Sequence, residues 1–264
     1  MPRTVLVLVP HPDDAEISAG GTIARMAHEG ARVVIVVATN GNKGSFEHES
    51  EALARIRAEE ARRATAVLGA EPPILLGHPD LGLDLLPPGT LREQFARAIR
   101  THRPDVVIAE DAFSSYETHP DHRAVAWAAS DAIGFASLPL FHPEHRAEGL
   151  EPHFVLEKYF YGHDAAGTNR VVDISETMEV KLAALAEHKS QVAFMVEDVL
   201  RQARMAGLDI PAIVGDKASD PMALMGWALQ SQAAEVGRPA GFAFGEAFRY
   251  ARFAAVVESL LPRE

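Results

Sequence analysis

The chain has 264 residues, a formal net charge of −12, 47% hydrophobic residues and no cysteine. This composition suits a soluble globular protein with a sizeable core, argues against a nucleic-acid partner, which needs a basic footprint, and excludes disulfides and thiolate metal sites, so that any metal must be held by histidine and carboxylate. No stretch approaches the ~20 apolar residues of a membrane span, and the apolar run near the N-terminus is too short for a secretory signal, so a cytoplasmic protein is expected.

Residues 5–9, all Val or Leu, read as a buried first strand that runs directly into His11-Pro12-Asp13-Asp14. A glycine-bearing stretch, 18–22, precedes a helix over 23–29 that stops at Gly30. A second strand, 32–38, ends in the polar loop 39–45, and 49–68 reads as a long helix closed by Gly69. A short third strand, 73–76, leads to His78-Pro79-Asp80. A helix over 91–102 is followed by a fourth strand at 105–109, a loop at 111–118 and a helix at 122–136. This βαβαβαβα order implies a Rossmann-like three-layer α/β/α fold with a mostly parallel sheet. Strands at 154–161 and 171–174 and one long helix over 176–204 follow. The stretch 207–241 suggests a lid or an oligomer contact. The expected organisation is a catalytic α/β domain over 1–195 and a C-terminal helical or irregular extension over 196–264, packed on the same domain.

The chemistry lies in two related words, His11-Pro12-Asp13-Asp14 and His119-Pro120-Asp121-His122, each following a strand. A lone His-Pro-Asp is a turn sequence, and the third copy at 78–80 shows how readily it recurs. The four-residue forms carry more: two donors three residues apart can converge in a tight loop, and ligands bind at the carboxyl ends of strands in open α/β sheets. A catalytic zinc site takes three protein ligands and one open position. His11, Asp14 and His122 would supply them, leaving Asp13 and His119 for proton transfer and oxyanion stabilisation. The spacing alone does not say which member of each pair binds metal. Other patterns point less far. Gly20-Gly21 lacks the remaining glycines of a dinucleotide loop. Lys189 and Ser190 are adjacent on a helix and point apart, against a Ser–Lys hydrolase. His142, His145 and His153 read as surface or substrate-rim residues rather than a second metal site. Phe242, Phe244 and Phe248 read as core, and Glu246 and Arg249 as residues that close the cleft.

The first word with Ala15-Glu16-Ile17 and Ala19-Gly20-Gly21-Thr22, together with the second, resembles the PIG-L/LmbE-like family of zinc-dependent N-acetylglucosaminyl deacetylases. Thr39-Asn40-Gly41, Arg57-Ala58-Glu59-Glu60-Ala61, Pro79-Asp80 and His188-Lys189-Ser190-Gln191 match its pattern in order. The resemblance covers about residues 4–195. It implies one Zn2+ per chain on His11, Asp14 and His122, Asp13 as general base, His119 as oxyanion stabiliser and acid, and Arg57 and Asp80 on sugar hydroxyls. Tyr116-Glu117-Thr118, Arg123 and the segments 141–145 and 149–153 look most like the diacetylchitobiose deacetylase branch. That implies a small saccharide substrate and a homo-oligomer, a trimer or hexamer. The alternatives are a deacetylase of another N-acetylglucosamine conjugate, such as a thiol-cofactor precursor or glycolipid, or a non-catalytic Rossmann-like module that binds sugar or nucleotide.

Overall fold

The computed structural model describes residues 2–162, 167–215, 219–253, 257 and 260. Seven strands form one sheet in the order β3-β2-β1-β4-β5-β7-β6. The apolar runs give β1 (Thr4–Val9), β2 (Arg32–Thr39) and β4 (Val106–Glu110), fully or almost fully buried. With β3 (Ile74–His78) and β5 (Glu157–Tyr161) they pair in parallel, in registers such as Val5 opposite Val33 and Val106. Continuous Val, Ile and Leu are what a strand covered on both faces requires. On one face Leu6, Leu8, Val34, Val36 and Val107 pack on α3 (Thr90–His102) and α4 (Pro120–Phe135) through Phe95, Ile99 and Val125. On the other, Val5, Val7, Val33, Ile35 and Ile108 pack on α1 (Asp14–His28) through Ala15, Ala19 and Ile23. The mixed α/β architecture with a mostly parallel sheet is the one the element order implied.

Helix α1 starts nine residues before the expected position, at Asp14, and takes Gly20 and Gly21 into its interior. Glycine weakens a helix by about 1 kcal/mol relative to alanine, but here the partners come too close for a side chain. A Cβ on Gly21 would lie 2.7 Å from Cβ of Ile174, and one on Gly20 3.1 Å from Cγ of Lys181. Helix α2 (Ser50–Val67) matches its expected span, and the short α5 (Glu144–Ala147) follows α4.

The long helix expected over 176–204 is two, α6 (Met178–Leu185) and α7 (Lys189–Met205), broken at His188. No glycine or proline marks the break, because the cap comes from elsewhere in the chain. Glu60 of α2 accepts from Ser190 N at 2.9 Å and from Ser190 Oγ at 2.6 Å. A carboxylate at a helix N-terminus satisfies free N–H groups and complements the helix dipole. Residues beyond 195 carry the rest of α7, then α8 (Ile210–Val214), α9 (Pro221–Gly237) and a strand absent from the sequence reading, β7 (Gly245–Ala251). β7 runs antiparallel between β5 and β6 (Arg170–Asp173). Phe248 is buried in the core, as expected.

Glu246 and Arg249 are each tied to the body of the protein by an ion pair. Arg249 forms a two-pronged pair with Asp111, Nη2 to Oδ1 at 2.9 Å. Glu246 is buried against the middle of α1, where it accepts from Gly21 N at 3.0 Å, Thr22 N at 2.8 Å and Lys181 Nζ at 2.6 Å. Lys181 Nζ also donates to Ile17 O, the carbonyl four residues before Gly21, at 2.8 Å. A buried ion pair therefore sits astride one turn of α1. Among the described residues no helix is long and apolar enough to cross a membrane.

Candidate active site

The sheet order reverses direction between β1 and β4, and the loops after β1, β2, β3 and β4 meet there at the strands' carboxyl ends, the usual ligand crevice of open α/β sheets. They enclose a pocket of about 350 Å³ lined by His11, Asp13, Asp14, Arg57, Asp80, His119 and His122, so every residue expected at the site faces it.

The tight turn after β1 converges its donors. Asp14 Oδ2 accepts from the His11 backbone N at 2.7 Å and lies 3.1 Å from His11 Nδ1. His122, one turn into α4, places Nε2 at 3.6 Å from Asp14 Oδ1. Ligand atoms of His11, Asp14 and His122 thus lie within 4.8 Å of one another. The far side of each ring meets a carboxylate: His11 Nε2 lies 3.3 Å from Asp121 Oδ2 and 3.2 Å from Asp80 Oδ1, and His122 Nδ1 lies 2.8 Å from Glu110 Oε2. The carboxylates behind His11 fix its tautomer and leave Nδ1 as a ligand, as in metal centres generally, and Glu110 lies beside the outer nitrogen of His122. The acidic groups packed around these rings call for a cation.

A second donor set, His11, Asp80, His119 and Asp121, shares His11. Asp121 is already committed in it: fully buried, it accepts from Leu81 N at 2.6 Å and Leu83 N at 3.0 Å and so ties the loop after β3 to α4. The donor chemistry therefore fits a metal on the Asp14 side. Asp121 and Glu110 were not singled out from the sequence. Asp121 stood inside the second word, and Glu110 is a buried acid at the end of β4.

Asp13 caps α1 with φ of 111°, in the region that favours glycine. Such strain in a side-chain-bearing residue is typical of functional positions. It is held by Arg57 of α2, whose Nη2 donates to Asp13 Oδ1 at 3.1 Å and to Pro12 O, and whose Nη1 donates to Gly41 O at 3.0 Å. Gly41, at φ 62°, admits the guanidinium because a Cβ there would lie 2.4 Å from Nη1. Arg57 thus commits most of its donors to the turn around Asp13. Nε has no protein partner, and that nitrogen and a second Nη1 hydrogen remain free of these bonds.

Burial raises the Asp13 carboxyl to about 6, against the lowering effect of Arg57. Burial also disfavours charge on Asp14, but His122 and His11 outweigh it and hold that carboxyl well below the usual range. Burial opposes protonation of His122, yet Asp14 and Glu110 bring its pKa up to about 9. His119 is held below the ordinary imidazole value by burial and by His11 and His122. Its Nδ1 accepts from Asp121 N at 3.2 Å, capping α4. The neutral ring therefore carries its hydrogen on Nε2.

The histidines at 142, 145 and 153 do not line the pocket. His145 is fully buried, not superficial: Arg100 Nη1 lies 3.1 Å from its Nδ1 and Glu93 Oε1 2.7 Å from its Nε2. His153 Nε2 donates to Pro104 O at 2.8 Å.

A site for one cation beside a buried carboxylate outside the donor set and a neutral imidazole is the equipment of a metal-dependent hydrolase. The PIG-L family, described as GlcNAc-PI de-N-acetylase, matches residues 6–133. A diacetylchitobiose deacetylase of Thermococcus kodakarensis is 37% identical over 192 residues, covering 72% of this chain and 70% of that one. A probable N-acetyl-alpha-D-glucosaminyl L-malate deacetylase 2 of Bacillus anthracis is 30% identical over 207 residues, 76% of this chain and 86% of that one. The structure of N,N'-diacetylchitobiose deacetylase from Pyrococcus horikoshii, in complex with its inhibitor MPG, superposes with a TM-score of 0.77 at 29% identity, covering 95% of this chain and 84% of that one. The chain belongs to the PIG-L family of N-deacetylases.

Proposed function

We propose that this enzyme removes the N-acetyl group from a small N-acetylglucosamine saccharide of the diacetylchitobiose type, releasing acetate and a free amine, with one zinc ion on His11 Nδ1, Asp14 and His122 Nε2. The observation that supports this most is the His11/Asp14/His122 donor set with Asp13 beside it on the floor of the pocket. Zinc bound there would polarise the amide carbonyl and acidify a water to a pKa of roughly 7.

Arg57 holds Asp13 Oδ1, so Oδ2 is the atom that accepts the proton of the attacking water. A buried carboxylate poised near neutrality suits a general base. His119 presents Nε2–H to the oxygen that becomes negative as the amide turns tetrahedral. It acts as a neutral donor, because a proton on Nδ1 would break the cap on α4. Asp13 then returns its proton to the departing amine nitrogen. Asp80 and the free hydrogens of Arg57 offer acceptor and donor to sugar hydroxyls.

Lys43, which lines the same pocket, favours a second substrate, a conjugate whose aglycone carries a carboxylate, as the malate in the name of the Bacillus relative does. We also propose a homo-oligomer, trimer or hexamer. Its apolar contact would use exposed Phe135, Leu138 and Leu140, and sedimentation analysis tests it. The functional test is to incubate zinc-loaded protein with N-acetylglucosamine, diacetylchitobiose, an N-acetylglucosaminyl inositol and an N-acetylglucosaminyl malate, measuring acetate and free amine. Diacetylchitobiose should be the best substrate. Turnover of the malate conjugate alone would select the second reading, and turnover of none would refute both.

A further inference from the structure

The motif His188-Lys189-Ser190-Gln191 has no part in the mechanism above, yet the structure builds it into the pocket wall. Ser190 is clamped on both of its polar groups by Glu60, which fixes where α7 begins and how it is rotated. Gln191, Phe194 and Met195 stand at i, i+3 and i+4, on one face of that helix, and all three line the active-site pocket. Gln191 is 7% exposed, and its side-chain oxygen has no hydrogen-bond partner. Its amide rests against Gly44 of the loop after β2, where a Cβ would lie 3.0 Å from Oε1 and 3.1 Å from Nε2. The Phe194 ring beside it is set by Phe46, at 4.9 Å between centroids, which in turn lies under Arg201.

A buried carbonyl with no partner is costly unless a ligand completes it. An uncharged amide next to an apolar ring is a surface for a neutral polyol, with hydroxyls for the amide and C–H groups for the ring. We propose that Gln191 is a specificity-determining residue that accepts a hydrogen bond from one hydroxyl of the bound saccharide, with Phe194 and Met195 against the sugar's apolar face. The proposal rests on the saccharide-deacetylase reading above.

The test compares steady-state kinetics of wild-type, Gln191→Leu and Gln191→Glu enzymes on N-acetylglucosamine, diacetylchitobiose and the 3-, 4- and 6-deoxy analogues of N-acetylglucosamine. Gln191→Leu should raise KM roughly 10- to 100-fold, with kcat within about threefold and metal content and melting temperature at wild-type values. Gln191→Glu, which keeps an acceptor, should recover most of the loss. One deoxy analogue should lose a similar factor on the wild type and nothing further on Gln191→Leu, because the two changes remove the same bond. Should Gln191→Leu fail to fold, Gly44→Ala, which presses a methyl group on the amide, should raise KM in the same direction. A turning-over wild type whose Gln191→Leu variant keeps its KM, or analogue losses that all add to that of the variant, would overturn this inference alone. A wild type that releases acetate from none of these sugars would overturn the functional reading and this inference with it.

Discussion

Replacing Lys181 by Met tests whether the charged pair that α6 and β7 press against α1 is structural. Lys181 and Glu246 are 4% and 5% exposed, so solvent screens their attraction little. In Lys181→Met, Glu246 keeps the N–H groups of Gly21 and Thr22 but loses its counter-charge, and Ile17 O loses a donor. Removing one member of a buried pair costs about 3–5 kcal/mol. At roughly 2–4 °C per kcal/mol for a chain of this size, the melting temperature should fall by about 6–20 °C. Glu246→Gln strands the ammonium and should cost a similar amount. The double variant Lys181→Met/Glu246→Gln buries no unpaired charge and should be more stable than the two single losses added, with a coupling of about 2–3 kcal/mol. Urea unfolding of the four proteins, at unchanged m-value, measures the cycle. A loss below about 1 kcal/mol for Lys181→Met, or additivity within about 0.5 kcal/mol, would refute the argument.

Two predictions concern the reaction. His122→Ala should abolish stoichiometric zinc, read by elemental analysis of the purified protein; full occupancy would remove His122 from the ligand set. Asp13→Asn should keep its zinc and lose roughly 10²- to 10⁴-fold in kcat, measured by acetate release. Loss of metal along with activity would mean that Asp13 and Asp14 exchange roles.

The central sheet was legible because its strands are unbroken runs of Val, Ile and Leu, a pattern only a doubly covered strand sustains. The site was legible for a related reason: His11 and Asp14 belong to one turn, and His119 and His122 to another, so local spacing carried their geometry. What escaped depends on partners distant in sequence. The early start of α1 needs Ile174 and Lys181 packed against its glycines, and the break at His188 needs Glu60. β7, with the sequence Gly-Glu-Ala-Phe-Arg-Tyr-Ala, contains no β-branched residue and is a strand because β5 and β6 flank it. Gln191 was visible as part of a motif, but only its buried, unpartnered oxygen gives it a task.

β7 also sets the order in which the chain can become whole. It is made after both of its neighbours and yet lies between them, so β5 and β6 emerge from the ribosome with the edge they will share with it uncovered. Between Asp173, where β6 ends, and Gly245, where β7 begins, translation takes on the order of seconds. For that time the nascent sheet presents open backbone to any neighbouring strand. The same late segment delivers Glu246 to α1, the helix that starts at Asp14. A polypeptide released before Gly245 would hold every residue assigned to the chemistry and still be an aggregation hazard rather than an enzyme. Quality control of this protein therefore turns on Gly245–Ala251, far in sequence from the motifs that do the work.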